Sequence, residues 1–562
     1  MTILGISAFF HDSAASVVID GKVICAFEEE RFSRIKHDGS FPRRAIQACL
    51  RYCGIDASDI DLVAYYERPT LRFERVLEQY VDTYPSSLTS FVKHMPGWLG
   101  KKLSVENIIR ESLVYTNPIA YVPHHLSHAA AAFYTSGLEQ SAVLTMDGVG
   151  EYMTTGLWSA EASGLKLLKA MNFPDSVGLF YSTFTGFLGF PVNEGEYRMM
   201  GLAAYGEPTY VDAIRNIVTV HDDGSITLNR TFFVFDGETA SWRGDFKKLF
   251  GTPRKPHEEI TARHKDIAAS VQKVTGEIYF NILNHLHSLT GGVDVCIGGG
   301  VALNSLANGG IHHATKFARS HIFGPSGDNG AAIGAALQVF HERNTATIPK
   351  ITTLCLGNDY EEARIQTALK ARGVRFEKLT REAHAEKIAR ILTDGSPIAC
   401  FQGRAEFGPR ALGNRSILCD ATRMDAKERL NTIKRREDFR PFAISVLEEH
   451  TSKLFETPSD SRSFPFMNYC FKVQSEWKDK IAGAVHEDGT CRIQSVSNAE
   501  EFFYTVIAAC ERINGIPAVI NTSFNESGQP IVETPEEAVD AYVRMRIPFL
   551  SIGDYLAEPR AK

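Results

Sequence analysis

Short apolar runs recur along the first 345 positions of the chain, each broken by glycine, aspartate or a polar turn. The opening, ILGISAFFHDSAASVVIDGKVICAFEEE, predicts a strand, a polar loop carrying His11, Asp12 and Ser13, and a hairpin closed by Asp20-Gly21. RAIQACLRYCGI has the spacing of a short amphipathic helix, and DIDLVAYYE that of a further strand. The same order returns at SAVLTMDGVGEYMTTGLWSAEASGLKLLKAM: a buried strand, Asp147 among glycines, then two strands joined near Gly164. The recurrence predicts an internal duplication. Residues 68–116 mix aromatic and basic positions at helical spacing and read as an inserted helical segment. VGLFYSTFTGFLGF predicts a buried helix, and a long helix from Asp266 runs to a glycine stop. RNTATIPKITT is polar and proline-containing, so it predicts a domain boundary, with one domain over 1–345 and a second over 346–562. In the second, helices are expected near 360–372 and 381–394, ahead of strands in SPIACFQGRAEFGPRALGNRSILCD and PAVINTSFN.

A chain of 562 residues is too long for one core, which agrees with two domains. Its formal charge of −7 argues against nonspecific nucleic-acid binding. No window is apolar enough for a membrane span, and the start lacks a basic, then apolar, signal pattern, so a cytoplasmic location is expected. Ten cysteines without a CxxC pair predict reduced, mostly buried thiols.

The densest chemistry lies in PHHLSHAAAAFYTSGLEQSAVLTMDGVGE. If HLSHAAAAFY is helical, His124 and His128 share a face one turn, ~6 Å, apart, which is the spacing at which two imidazoles bind one divalent ion. The apolar run AVLTM delivers Asp147 beside them, and IFGPSGDNGAAIGAA repeats the strand, carboxylate and glycine arrangement with Asp328. Histidines at a helix start also cap or pack it, and Asp-Gly also makes plain turns; the second carboxylate favours ligation. An all-N/O set suits Fe(II), Mn or Zn. DVCIGGGVALN places Gly299, Gly300 and Asn304 at a strand–helix junction that a nucleotide can approach closely, as it can at Gly148. In the second domain Arg404, Arg410 and Arg415 occupy a Gly/Pro-rich loop, and Lys434, Arg435 and Arg440 follow. Arginines in such loops are good bidentate partners for phosphate and carboxylate. Arg436 and Glu437 read as a solvated helix face. Asn521 and Ser523 belong to a polar cluster suited to hydrogen-bonding a nucleotide.

In order, FFHDSAAS, EEERFSRIKHDGSFP, HHLSHAA, MDGVGE, EYRMMGLAAYGEP, IGGGVALN, GDNGAA, GRAEFGPRALGNRSIL, REDFRPFA and NTSFN span nearly the whole chain. Together they resemble the O-carbamoyltransferase family that includes nodulation-factor, cephamycin and tobramycin carbamoyltransferases. The resemblance implies an α/β and α+β fold. Its N-terminal part is a duplicated, ribonuclease-H-like domain of the actin/sugar-kinase/heat-shock type, similar to the threonylcarbamoyl-transferring tRNA-modification enzyme. Its C-terminal part is a YrdC-like domain that forms carbamoyl adenylate from carbamoyl phosphate and ATP, with Mg accompanying the ATP. It implies His124, His128, Asp147 and Asp328 as ligands of a metal, usually iron, with His125 a neighbour. The carbamoyl group then passes to a hydroxyl of a small-molecule acceptor, AMP is displaced, and the labile adenylate travels by an enclosed path. His11 with Asp12 is the expected base, and Lys36 is expected to orient the carbamoyl group or neutralise charge. Arg198 departs from the lysine expected in its loop, which counts against acid–base chemistry there. Competing readings are a tRNA threonylcarbamoyl-type transferase, a sugar kinase and a nucleotide-gated, actin-like binding protein. A metallopeptidase is disfavoured because HHLSH lacks the glutamate of HExxH. Neither the acceptor nor the oligomeric state is legible.

Overall fold

In the computed structural model the described residues are 1–235, 240–344, 346–459, 463–497 and 501–558. They divide into two compact units. The first comprises Met1–Glu29 and His37–Ile351, the second Glu30–Lys36 and Thr352–Lys562.

The first unit contains two five-stranded sheets of one topology. Strands β1 (Thr2–Ser7), β2 (Ala14–Ile19), β3 (Lys22–Glu28), β4 (Leu62–Tyr65) and β5 (Ile119–Tyr121) lie in the order β3-β2-β1-β4-β5. The first three are antiparallel, and β4 and β5 run parallel to β1. Strands β6 (Ser141–Met146), β7 (Met153–Glu161), β8 (Gly164–Asn172), β9 (Asp294–Gly298) and β10 (Arg319–Ile322) repeat this as β8-β7-β6-β9-β10, with the same pattern of directions. This is a duplicated ribonuclease-H-like fold. The Asp20-Gly21 turn has both residues at positive φ, 49° and 79°, as a two-residue hairpin of matching twist requires.

Each parallel strand pair feeds a helix that packs between the sheets. Helix α5 (His124–Tyr134) follows β5, and α10 (Asp328–Arg343) follows β10. The longer intervening helices are α1 (Arg43–Cys53), α2 (Pro69–Asp82), α3 (Leu88–Gly100), α4 (Val105–Leu113), α6 (Val177–Phe187), α7 (Glu196–Ala203), α8 (Ala262–Thr290) and α9 (Ser305–Ala314). Runs of alanine and glycine on α5 and α10 let their backbones meet: a Cβ on Gly334 of α10 would lie 1.9 Å from the Ser127 carbonyl oxygen of α5. Helix α10 rests on β1 and α5 on β9, while α1 and α8 cover the outer faces. The 68–116 insertion is helical, built from α2, α3 and α4. Among the described residues no helix is long and apolar enough to cross a membrane, and all ten cysteines are free.

The second unit is built on one nine-stranded mixed sheet. Its strands are β11 (Arg375–Lys378), β12 (Ile398–Phe401), β13 (Arg415–Asp420), β14 (Ala443–Leu447), β15 (Tyr469–Lys472), β16 (Thr490–Val496), β17 (Ala518–Ser523), β18 (Phe549–Ile552) and β19 (Tyr555–Glu558), in the order β11-β19-β18-β12-β13-β17-β14-β16-β15. Helices α11 (Glu362–Ala371), α12 (Arg381–Thr393), α13 (Ala426–Lys434), α14 (Phe502–Asn514) and α15 (Pro535–Met545) complete it. Ile388 and Leu392 of α12 and Val506 and Ile507 of α14 close a core over Ile398, Leu418 and Val519. The Glu30–Lys36 segment docks here, where Arg31 donates to the Gly408 carbonyl at 2.8 Å and Arg34 to that of Ile531 at 2.8 Å.

Candidate active site

The duplication explains where the chemistry collects. Equivalent positions of the two halves converge: the loops after β1 and β6 carry His11-Asp12 and Asp147, and the first turns of α5 and α10 carry His124 and Asp328. Asp328 lies beyond the strand end, at the first position of α10.

His124 and His128 lie one turn apart on α5, with Nε2 atoms 3.1 Å from each other. Asp147 Oδ2 is 3.3 Å from His124 Nε2 and 2.9 Å from His128 Nε2; Asp328 Oδ1 is 3.8 and 3.5 Å from the same atoms. All four donors lie within 4.8 Å of one another. Donors bound about 2.1 Å from a common ion sit about 3.0 to 3.4 Å apart at octahedral or tetrahedral angles, so the set fits a divalent cation. Asp328 Oδ2 is buried without a hydrogen-bond partner, an atom that a cation would satisfy. The electrostatics agree. Burial disfavours charge on His128, but Asp147 and Asp328 outweigh it and push its pKa up to about 9. Burial would likewise raise Asp147, yet the two histidines hold it well below the usual carboxylate range. Such a centre stabilises positive charge. His125 is no part of it: burial, then His124 and His128, push its pKa far down, and its Nδ1 pairs with the Thr145 hydroxyl at 2.9 Å.

Two supports of this cluster escaped the reading of the sequence. Glu151 accepts the backbone N–H of His124 at 3.0 Å and that of Arg68 at 2.8 Å, capping α5 where its dipole favours a carboxylate. Beside it, the Asp12 carboxylate accepts from His37 Nδ1 at 2.7 Å through Oδ1 and from His11 Nδ1 at 3.0 Å through Oδ2. Both supports fall inside motifs already singled out, MDGVGE and IKHDGSFP, which was the available signal. Burial opposes the charge on His11, but Asp12, Asp328 and Asp147 raise its pKa to about 9.

The glycine-rich residues border the same centre. Gly148 donates its N–H to Asp147 Oδ1 at 2.7 Å. Gly299 has φ 91°, and a Cβ there would lie 2.2 Å from the Met146 carbonyl; one on Gly300 would lie 3.1 Å from Asp147 Oδ1. Asn304 caps α9 through Ala307 N–H at 3.1 Å and exchanges amide hydrogen bonds with Gln272 at 3.0 and 3.2 Å.

In the second unit several expected ligand residues are occupied by the fold. Arg415 is fully buried, its guanidinium 3.7 Å over the Phe401 ring, with its Nη atoms donating to the carbonyls of Gln402 at 2.7 Å, Gly403 at 3.0 Å and Asn358 at 3.2 Å. Arg404 donates to the carbonyls of Leu356 and Gly357 at 2.6 and 3.0 Å. The loop between them folds around the buried Glu406 carboxylate, which accepts N–H groups of Leu412 at 2.7 Å, Asn414 at 2.8 Å and Arg415 at 3.1 Å. Asn521 is buried in β17 and donates to Ser445 and Gln494 at 3.1 and 3.3 Å. Lys434 is buried too, its pKa driven far down by desolvation, and it donates to both oxygens of Asn525, at 2.8 and 2.9 Å. Ser523 donates to Asn525 at 2.6 Å. Arg410 is half-buried, Arg435 largely exposed beyond the end of α13 at φ 51°, and Arg440 is 3.7 Å from Glu437. Arg436 is not on a solvated helix face: it lies past the helix end, 4.1 Å over Phe442, and donates to Asn431 at 2.7 Å. Lys36 belongs to this unit and is paired with Glu30 at 2.8 Å.

A duplicated ribonuclease-H-like unit holding a histidine–carboxylate centre, joined to a mixed-sheet unit, defines the class of protein. The chain belongs to the carbamoyltransferase family: residues 2–337 match the model of the carbamoyltransferase N-terminus and residues 389–558 that of the C-terminus. It is therefore a carbamoyl transferase. It is 38% identical to an uncharacterised protein of Synechocystis sp., over 100% of this chain and 97% of that protein. It is 37% identical to nodulation protein NolNO of Sinorhizobium fredii, over 99% of this chain and 80% of that protein. Among solved structures, component A of the Acidaminococcus fermentans (R)-2-hydroxyglutaryl-CoA dehydratase has a TM-score of 0.32 at 14% identity, over 61% of this chain and 98% of that one.

Proposed function

We propose that the protein is an ATP-dependent O-carbamoyltransferase working in two stages, each in one unit. The C-terminal, YrdC-like unit makes carbamoyl adenylate. Carbamoyl phosphate is hydrolysed to carbamate and phosphate; a carbamate oxygen attacks the α-phosphorus of Mg-ATP, and pyrophosphate leaves. Arg410, Arg435 and Arg440 supply the positive charge these anions need, and Lys434 and Ser523 hold Asn525 in place. Arg404, Glu406, Arg415 and Asn521 hold the loop and strand in shape. Lys36, paired with Glu30, is assigned to neutralising charge on the carbamoyl donor.

The N-terminal unit performs transfer. His124, His128, Asp147 and Asp328 hold a divalent cation, Fe(II) by resemblance, with Mn or Zn as alternatives. When bound, that ion supplies positive charge for the adenylate phosphate. Gly148, Gly299, Gly300 and Asn304 let the nucleotide approach the centre. His11, oriented by Asp12, takes the proton of the acceptor hydroxyl as its oxygen attacks the carbamoyl carbon, and AMP leaves. Membership of the carbamoyltransferase family supports a small-molecule hydroxyl acceptor, as in natural-product or sugar modification, and the formal charge of −7 argues against nucleic acid. We place the reaction in the cytoplasm.

The observation carrying this reading is the convergence of two imidazoles and two carboxylates within 4.8 Å in a chain of this family. Its test is pyrophosphate release by Fe(II)-loaded protein given carbamoyl phosphate and ATP, for wild type, Arg440→Gln and His128→Ala. Pyrophosphate abolished by the first substitution and retained by the second supports two separate sites. Equal loss in both refutes them.

A further inference from the structure

We propose that His37 is a positioning residue, which fixes Asp12 so that Asp12 presents His11 in the one tautomer able to accept a proton. The inference rests on the reading of His11 as the transfer base. Asp12 bridges two imidazoles, with Oδ1 2.7 Å from His37 Nδ1 and Oδ2 3.0 Å from His11 Nδ1. A carboxylate accepts only, so each Nδ1 carries the hydrogen, and neutral His11 is left with a bare Nε2.

The backbone is built to hold this arrangement. Asp12 and His37 both adopt the left-handed region, at φ 53° and 55°, which non-glycine residues rarely occupy. The His11 loop is laced to the His37 loop by hydrogen bonds from Phe9 N–H to the Gly39 carbonyl and from Ser13 N–H to the Asp38 carbonyl, each 2.9 Å. Gly39 permits that approach, because a Cβ there would lie 2.1 Å from the Phe10 carbonyl oxygen. The loop after β3 thus clamps the loop after β1, and His37 is the side chain it delivers. After Asp12, Asp328 and Asp147 also act on His11, both favouring its charged form.

The test needs no acceptor. Diethyl pyrocarbonate modifies the unprotonated imidazole, and peptide mapping by mass spectrometry reads His11 alone across a pH series. In wild type the His11 midpoint is expected above that of a free histidine. His37→Leu is expected to lower it by about one pH unit or more as Asp12 swings free. His37→Asn, whose amide nitrogen stands near the Nδ1 position, is expected to restore it. If His37→Leu does not fold, His37→Gln takes its place, since its amide reaches the Nε2 position instead. An unchanged His11 midpoint in a variant with wild-type thermal unfolding overturns the proposal. So does a shift that His37→Asn fails to reverse. Absence of carbamoyl-phosphate-dependent pyrophosphate would sink the functional reading while leaving this titration intact.

Discussion

Two glycine-to-alanine substitutions in helices should act with opposite signs, and the contrast tests how the metal cluster is assembled. Gly334 lies where α10 crosses α5; raising its Cβ separation from the Ser127 oxygen from 1.9 to 3.0 Å, the least that real Cβ atoms show, demands 1.1 Å of movement, and the obstacle is backbone. Carried to the first turn of α10, that movement would stretch the 3.5 Å between Asp328 Oδ1 and His128 Nε2 well past its present value. Two donors at bonds of about 2.1 Å cannot lie more than about 4.2 Å apart on one ion, so Asp328 would leave the set. Gly334→Ala is therefore expected to lower affinity for Mn(II) or anaerobic Fe(II) by about tenfold or more and stability by about 1–3 kcal/mol. Gly276, inside α8, is the control, because its Cβ would meet only Phe280 at 3.7 Å. Gly276→Ala should leave affinity unchanged and add about 0.5–1 kcal/mol, since glycine in a helix interior costs backbone entropy. Isothermal titration reads the affinity and calorimetric unfolding the stability. Wild-type metal binding by Gly334→Ala would refute the claim that this helix crossing sets the ligand geometry.

Further outcomes follow from the same geometry. Asp147→Asn should abolish metal loading measured by mass spectrometry of the metal content, because it removes the charge nearest both imidazoles. Glu406→Gln leaves one acceptor oxygen where the carboxylate serves three N–H groups, and should destabilise the C-terminal unit by about 1–3 kcal/mol in chemical denaturation. His11 has its folded pKa raised to about 9 from 6.5, so its stabilising contribution is complete below pH 6.5 and is lost as pH rises to about 9; thermal unfolding of His11→Asn should differ from wild type at pH 6 and converge above 9. His384 has the opposite sign. Burial lowers its pKa to about 4, so the unfolded chain binds more protons between 4 and 6.5 and stability falls as pH drops through that window, a loss that His384→Gln should reduce.

Much of the fold was legible because its periods were unambiguous. The β1–β3 meander, its recurrence at β6–β8 and the one-turn spacing of His124 and His128 all follow from local pattern and survive in the structure. The 68–116 insertion and the long helix ending near Gly291 were legible for the same reason. What pattern could not reveal was the use to which polar residues are put. Arg415 and Arg404 sit in a glycine-rich loop, as a ligand clamp would, yet their N–H groups serve backbone carbonyls that the loop cannot otherwise satisfy. Asn521 read as part of a polar cluster open to a nucleotide, but the strand continues through it and it is buried. The stretch EEERFSRIKHDG reads as one motif and is divided between two units: Arg31 and Arg34 dock on the C-terminal unit, while His37 and Gly39 clamp the His11 loop. Glu151 and Glu406 drew no reading of their own, because which backbone N–H groups a carboxylate accepts depends on the folded loop and not on residue type.

The central claim is that ATP is cleaved at its α-phosphorus on behalf of a carbamoyl group. Phosphorus NMR of Fe(II)-loaded protein with ATP, Mg and carbamoyl phosphate, without acceptor, tests it directly. The account predicts AMP and pyrophosphate accumulating only when carbamoyl phosphate is present. ADP as the nucleotide product, or nucleotide turnover indifferent to carbamoyl phosphate, would contradict it.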